Sequence, residues 1–243
     1  MDKKKVVAIA GASSGLGWAS AQRLAGQGYA VAVCARREEL IKELVESIKK
    51  QGGQAFGMRA DMTRWEDARD FVQSTVNEFG RIDVMFNNAG AGVRFADFDD
   101  LSIEEIDGGI AVNLTSVLYG CRAVVPVMKK QKSGHIINTT SILGKRARAG
   151  LSVYTAGKHG VDGFSRALFN EVKDHGIKVS ILGPAMIATD WAKKAGIQTP
   201  FSQGRMLLAE DVAYLVQQLI ETPEHYSVWC IDIMALDQTI DPL

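Results

Sequence analysis

Gly11-Ala12-Ser13-Ser14-Gly15-Leu16-Gly17 is the stretch that decides the fold. The apolar run Val6-Val7-Ala8-Ile9-Ala10 precedes it, and a helical pattern from Leu16 to Gln27 follows. A short buried strand, a glycine-rich bend and a helix make a cradle for a diphosphate. Glycine lets the backbone turn tightly and approach a ligand, and the unpaired N–H groups at the helix start face the phosphates. The spacing is GxxxGxG, which is neither the GxGxxG fingerprint nor the GxxxxGK(S/T) loop. Alone, it also suits a tight turn that holds nothing, so the rest of the chain has to decide.

Outward from this turn, apolar strands and helical segments alternate. Strands are expected at Tyr29–Cys34, Gln54–Arg59, Ile82–Phe86, His135–Thr139, Lys178–Leu182 and near Val228–Ile233. Helices are expected through Lys50, over Trp65–Phe79, Glu104–Lys130, Val153–His175 and Ala209–Glu221, the third interrupted at Gly108-Gly109 and at Pro126. Near-continuous runs of small or β-branched residues fit a parallel sheet covered on both faces. Right-handed crossovers then give one α/β domain over residues 1–243, a doubly wound Rossmann-type sheet of seven strands. A TIM barrel would need eight βα units and has no special use for the opening glycines. In the open sheet Gly11–Gly17, Arg36, Asp61 and Asn87–Gly90 meet at one crevice.

Composition narrows the function. The 28 basic and 28 acidic residues cancel, which removes the broad electrostatic argument for nucleic acid. Cys34, Cys121 and Cys230 lie far apart in apolar surroundings and read as buried free thiols, and the four histidines form no metal pattern. Met1-Asp-Lys-Lys-Lys5 leads into the first strand without a signal segment, and no stretch reads as a membrane span. A soluble cytoplasmic protein is expected.

At the end of the second strand, where a dinucleotide fold often carries an acid for the ribose hydroxyls, stand Cys34-Ala35-Arg36-Arg37. Ala35 offers no carboxylate, whereas Arg36 suits a 2′-phosphate, so NADP(H) is favoured over NAD(H). Arg37 joins the candidate cofactor residues but reads more readily than Arg36 as a solvated start of a helix. Ser13 or Ser14 adds a phosphate contact, Asp61 an adenine contact, and Asn87 and Asn88 brace the bend at Ala89-Gly90. Downstream, Ser141 follows a strand, and Tyr154-Thr-Ala-Gly-Lys158 puts Tyr154 and Lys158 on one helical face. A tyrosine near pKa ~10 is a poor base at neutral pH until a cation stabilises its phenolate, and Lys158 supplies that cation.

With these pieces in place, the chain resembles the classical short-chain dehydrogenase/reductase family over essentially its full length. The resemblance rests on Gly11–Gly17, Asp61, Asn87-Asn-Ala-Gly90, Asn113, Ser141 and Tyr154–Lys158. It implies a nicotinamide hydride-transfer enzyme with Tyr154 as general acid/base, Ser141 orienting the carbonyl, Lys158 lowering the tyrosine pKa and binding the nicotinamide ribose, and Asn113 holding a water relay to Lys158. The cofactor set is then Gly11, Ser13, Ser14, Gly15, Leu16, Gly17, Arg36, Arg37, Asp61, Met62, Asn88, Ala89, Gly90, Tyr154, Lys158, Pro184, Ile187 and Thr189. Three positions depart from the family pattern: Ala10 stands where threonine is frequent, Ala185 replaces the glycine after Pro184, and Gly157 costs about 1 kcal/mol of helix propensity without an evident function.

Substrate contacts are expected from Arg94, Ser141, Ile142, Arg148, Tyr154 and Trp191, with a flap around 190–208. The basic residues Arg94, Lys145, Arg146 and Arg148 favour a small polar carbonyl or hydroxy acid, although a solvated basic rim reads equally well. The expected reaction interconverts a ketone or aldehyde and an alcohol. The alternatives are an NAD-preferring alcohol dehydrogenase and a catalytically silent dinucleotide-binding regulator. The long helices 104–130 and 153–175 suggest a homodimer or homotetramer, and no metal, nucleic acid or membrane partner is expected.

Overall fold

The computed structural model describes residues 4–189 and 206–238. Seven parallel strands lie in the order β3-β2-β1-β4-β5-β6-β7. They are β1 (Val6–Ala10), β2 (Ala30–Ala35), β3 (Gln54–Arg59), β4 (Val84–Asn87), β5 (Gly134–Thr139), β6 (Ile177–Pro184) and β7 (Cys230–Ile233). The helices among the described residues are α1 (Gly15–Gly26), α2 (Glu38–Lys50), α3 (Trp65–Phe79), α4 (Ile103–Ile110), α5 (Ser116–Gln131), α6 (Ser152–Val172) and α7 (Ala209–Ile220).

The apolar runs hide an alternation that assigns each face its helices. Val7, Ile9, Val31 and Val33 point to the side where Leu24, Leu44, Val212 and Val216 of α1, α2 and α7 pack. Ala8, Ala10, Ala32 and Cys34 point the other way, and their small size is matched by Phe71, Met85, Val124 and Met128. The result is two buried layers, apolar along β1 and β2 and carrying the buried pair Asn87 and Asn138 on β4 and β5. Register brings the strand ends level: Ala10 pairs with Cys34 on one side and Asn87 on the other, and Asn87 with Asn138.

The helix from Ile103 to Gln131 differs from expectation twice. It runs through Gly108-Gly109 and carries Pro126 inside α5, and its irregularity lies instead at a π-helical turn, Ala111–Thr115. Asn113 sits in that turn, where its side chain bonds to backbone of the segment after β4 and widens the helix. The helix is also long and apolar enough, by length and composition, to cross a membrane, contrary to the sequence reading. Here it packs against α3, α6 and β4. Cys34 and Cys121 are buried as expected, whereas Cys230 is half-buried.

Between β5 and β6, His135 is a buried polar residue held by Ser180. Ser180 Oγ donates to Val228 O at 2.7 Å, so the 2.8 Å contact with His135 Nε2 requires the ring to donate. Burial, with Lys178 and Lys5 nearby, lowers the imidazole pKa from 6.5 to about 3. Between those values the unfolded chain binds a proton that the folded ring refuses, so stability falls as pH drops below 6.5. Ring NMR of the folded protein is expected to show His135 still neutral at about pH 5. In folded His135→Gln, denaturant titrations are expected to show a shallower stability loss between about pH 6.5 and 4.

Candidate active site

The first turn, β2, β4 and β5 end on one edge, and the cleft above them has a volume of about 1100 Å³. That exceeds the ~300–1,000 Å³ usual for one small ligand and leaves room for a dinucleotide with a substrate beside it. Gly11 and Gly15 have φ of +79° and +56°, which favours glycine at both. A Cβ on Gly11 would stand 2.7 Å from Ala89 Cα, so the first turn and the bend after β4 touch backbone to backbone. Asn88 Nδ2 fastens them by donating to Gly11 O at 3.1 Å. Asn87 does a different job, donating to Asn138 Oδ1 at 2.8 Å inside the sheet.

Ser14 precedes α1 without capping it, so the helix start keeps backbone donors for an anion. Its hydroxyl instead accepts from Arg37 Nη2 at 2.7 Å, and Ser13 Oγ accepts from Arg37 Nη2 and Nε at 2.8 and 3.1 Å. Arg37 is therefore no mere solvated helix start, which corrects the sequence reading. Arg36 lines the same end of the cleft, as do Asp61 and Met62. One Asp61 oxygen accepts from Thr63 N and Oγ1, at 3.0 and 2.8 Å.

At the other end Ser141, Tyr154 and Lys158 are 7%, 7% and 3% exposed, and all three line the cleft. The i, i+4 spacing on α6 brings Lys158 Nζ 5.7 Å from the Tyr154 ring centroid. Nζ donates to Thr139 O at 3.0 Å. Burial pushes the Tyr154 phenol up to about 12, partly offset by a hydrogen bond with the Ser141 hydroxyl. Burial alone lowers Lys158 to about 8. The sequence reading has Lys158 lower the tyrosine pKa; here desolvation is the largest influence, and the lowering comes from Ser141. Asn113 is fully buried behind the pair, its Nδ2 donating to Ala91 O and Gly109 O at 3.0 Å each and its Oδ1 accepting from Ala91 N at 3.3 Å.

Gly90, Pro184, Ile187 and Thr189 also face the cleft, with Leu16, Ile142 and Arg148. Ala185 faces it too, its N–H continuing the sheet to Ile233 O at 2.8 Å. Arg94 does not. Its Nε donates to Glu105 Oε1 at 2.7 Å and its Nη2 to Asp100 O, so it braces the start of α4, where Glu105 closes a capping box with Ser102. Lys145 is likewise turned away, onto Asp232 at 2.7 Å and Cys230 Sγ at 2.9 Å. Trp191 and most of the expected flap, 190–205, lie outside the described residues. Sequence reasoning missed Thr139, Thr140 and Gln238 as cleft residues; the hydroxyl run Thr139-Thr140-Ser141 at a strand end was the available signal.

Uncapped helix start, close-packed glycine turn, paired arginines and a distant Ser-Tyr-Lys cluster together fit a nicotinamide dinucleotide, and define a Rossmann-type oxidoreductase site. A sequence model described as short chain dehydrogenase matches residues 5–199. The oxidoreductase BOA17 of Botryotinia fuckeliana is 38% identical over 188 residues, 77% of this chain and 68% of that protein. An alcohol dehydrogenase from the archaeon Thermococcus sibiricus, solved with 5-hydroxy-NADP, is similar at a TM-score of 0.89 and 27% identity, over 98% of this chain and 100% of that one. The closed form of a serine dehydrogenase with NADP+ gives a TM-score of 0.92 and 26% identity over 98% of each. The chain belongs to the short-chain dehydrogenase family and is an oxidoreductase of that family.

Proposed function

We propose that the protein is an NADP(H)-dependent oxidoreductase that interconverts a small polar ketone or aldehyde and its alcohol. The observation that carries this reading is the buried convergence of Ser141, Tyr154 and Lys158 on one end of the dinucleotide-sized cleft. When bound, the nicotinamide supplies hydride exchange with the substrate carbon. Ser141 Oγ holds the carbonyl oxygen, and Tyr154, protonated across the neutral range with its pKa near 12, gives that oxygen its proton. Lys158 keeps a cation beside the phenol as it loses that proton, and Asn113 supports proton return to Lys158. Residues Gly11–Gly17 would hold the diphosphate, Asp61 and Met62 the adenine, and Pro184, Ile187 and Thr189 the nicotinamide, with the Asn88–Gly90 bend letting the cofactor lie close to the main chain between the two ends. Homodimer or homotetramer formation through the long helices belongs to the same reading.

Tyr154→Phe keeps the ring and removes the proton donor. It is expected to bind cofactor normally and to lose at least about a hundredfold in kcat for carbonyl reduction. Near-parental turnover in the folded variant refutes the assignment.

The preference for a 2′-phosphate is supported by Arg36 and Arg37 at the end of β2 and by the NADP bound in the two structural relatives. Arg37 is already aimed along the serines of the first turn, so both arginines enter the test. Arg36→Ala and Arg37→Ala are each expected to weaken NADPH by about tenfold or more while changing NADH little. Equal losses for both cofactors reject the arginines as the discriminator.

Substrate polarity rests on Arg148, which lines the cleft with its guanidinium 5.8 Å from the Phe95 ring centroid. The serine dehydrogenase relative, similar over nearly its whole chain, supports a hydroxy-acid type of substrate. Arg148→Ala is expected to lower kcat/KM for an anionic hydroxy acid, by a margin that shrinks with salt, and to spare its neutral ester. Arg94→Ala, in contrast, is expected to change either value by less than about twofold.

A further inference from the structure

Gly157 stands directly before Lys158 and three residues after Tyr154, in a helix interior that disfavours glycine. A Cβ built there would lie 3.0 Å from Asn113 Cβ and 3.7 Å from its carbonyl carbon. A flexible neighbour would swing aside. Asn113 is held at both ends of its amide by Ala91 and by Gly109. A methyl group at 157 therefore needs a few tenths of an ångström, taken from the approach of α6 to the π-helical turn or from the clamped Asn113.

Either movement reaches the site. The point that a Cβ of Gly90 would take is 3.3 Å from Asn113 Oδ1 and 3.3 Å from Lys158 Nζ. An acceptor and an ammonium thus both border the bare face of Gly90. Lys158 rides on α6 beside Gly157, and Asn113 rides on the turn against Gly157, so this contact bears directly on their separation.

We propose that Gly157 is a positioning residue: by presenting no side chain to Asn113 it fixes the span between Asn113 Oδ1 and Lys158 Nζ, across which the ammonium is solvated and reprotonated. This rests on the part given to Lys158 above, so one readout is chosen that needs no turnover. Gly160 supplies the control. It lies on the same seam, but a Cβ there would meet only the side chain of Leu114, at 2.9 and 3.0 Å, and that side chain can rotate.

Gly157→Ala, Gly160→Ala and the parent are compared as full chains. Lysine side-chain NMR without cofactor is expected to show the Lys158 midpoint lowered by about half a pH unit or more in Gly157→Ala and unmoved in Gly160→Ala, because the ammonium loses a solvating partner. With NADPH and a carbonyl substrate, kcat of Gly157→Ala is expected to drop about tenfold, with KM and the cofactor dissociation constant within about twofold and the alkaline limb of the pH profile displaced downward. An unmoved Lys158 midpoint and pH profile in folded Gly157→Ala overturns the proposal. So does an equal effect in Gly160→Ala, or a Gly157→Ala chain that does not fold, which assigns the glycine to the core. A parent inactive on every carbonyl and alcohol tested would overturn the functional reading instead, and the NMR comparison would still decide the positioning role.

Discussion

β1 pairs with β2 on one side and β4 on the other, and this placement governs the rest of the molecule. The connections leaving β1 and β4 turn to opposite faces of the sheet, so their first turns separate and a crevice opens between them. The crevice stays narrow at its floor because Gly11 and Ala89 meet with no side chain between them, and Asn88 fastens one turn to the other. A cofactor laid along that floor has backbone donors at its middle. One end meets arginines from β2, and the other meets side chains from β5 and α6.

The far end depends on a second constraint, the approach of α6 to the helix that follows β4. α4 and α5 would form one regular helix if their backbone bonds decided alone. Asn113 instead spends its amide on Ala91, which belongs to the loop leaving β4, and on the carbonyl of Gly109 one turn earlier. The π-helical turn is the backbone's answer to those side-chain bonds. It ties the loop over the cleft, the long helix and α6 into one unit, so the position of Lys158 inherits the precision of the sheet rather than the freedom of a surface helix.

Much of this was legible in the sequence because it is local. Gln54–Arg59 and Trp65–Phe79 fold over the expected bounds, since period and apolar content within each segment decide them. The glycine turn and the Tyr154–Lys158 pair are local for the same reason. What escaped was set by partners far along the chain. The π-helical turn answers to Ala91, 22 residues before Asn113, whereas Gly108-Gly109 and Pro126, the local breakers, interrupt nothing. Arg94 is withdrawn from the cleft by Glu105, and Arg37 is drawn to it by Ser13 and Ser14, neither of which a charge pattern reveals. Gly157 looked like a defect of helix propensity until the neighbouring helix was in view.

Burial then decides the resting chemistry of the site. Desolvation acts on Tyr154 and Lys158 in opposite directions on the pH scale but to the same end, because it disfavours whichever form is charged. The phenol is held neutral, ready to give a proton. The ammonium has the Thr139 carbonyl as its hydrogen-bond partner among the described residues, and its titration is brought near the physiological range. A pair poised this way changes charge state most readily when a developing negative charge appears on a substrate oxygen at Ser141. On the reading proposed above, the tyrosine proton then has a destination and the lysine an anion to stabilise. On the same reading, the cost of burying this lysine is tied to the step that uses it, and Asn113, against Gly157 on the same seam, borders the space beside it.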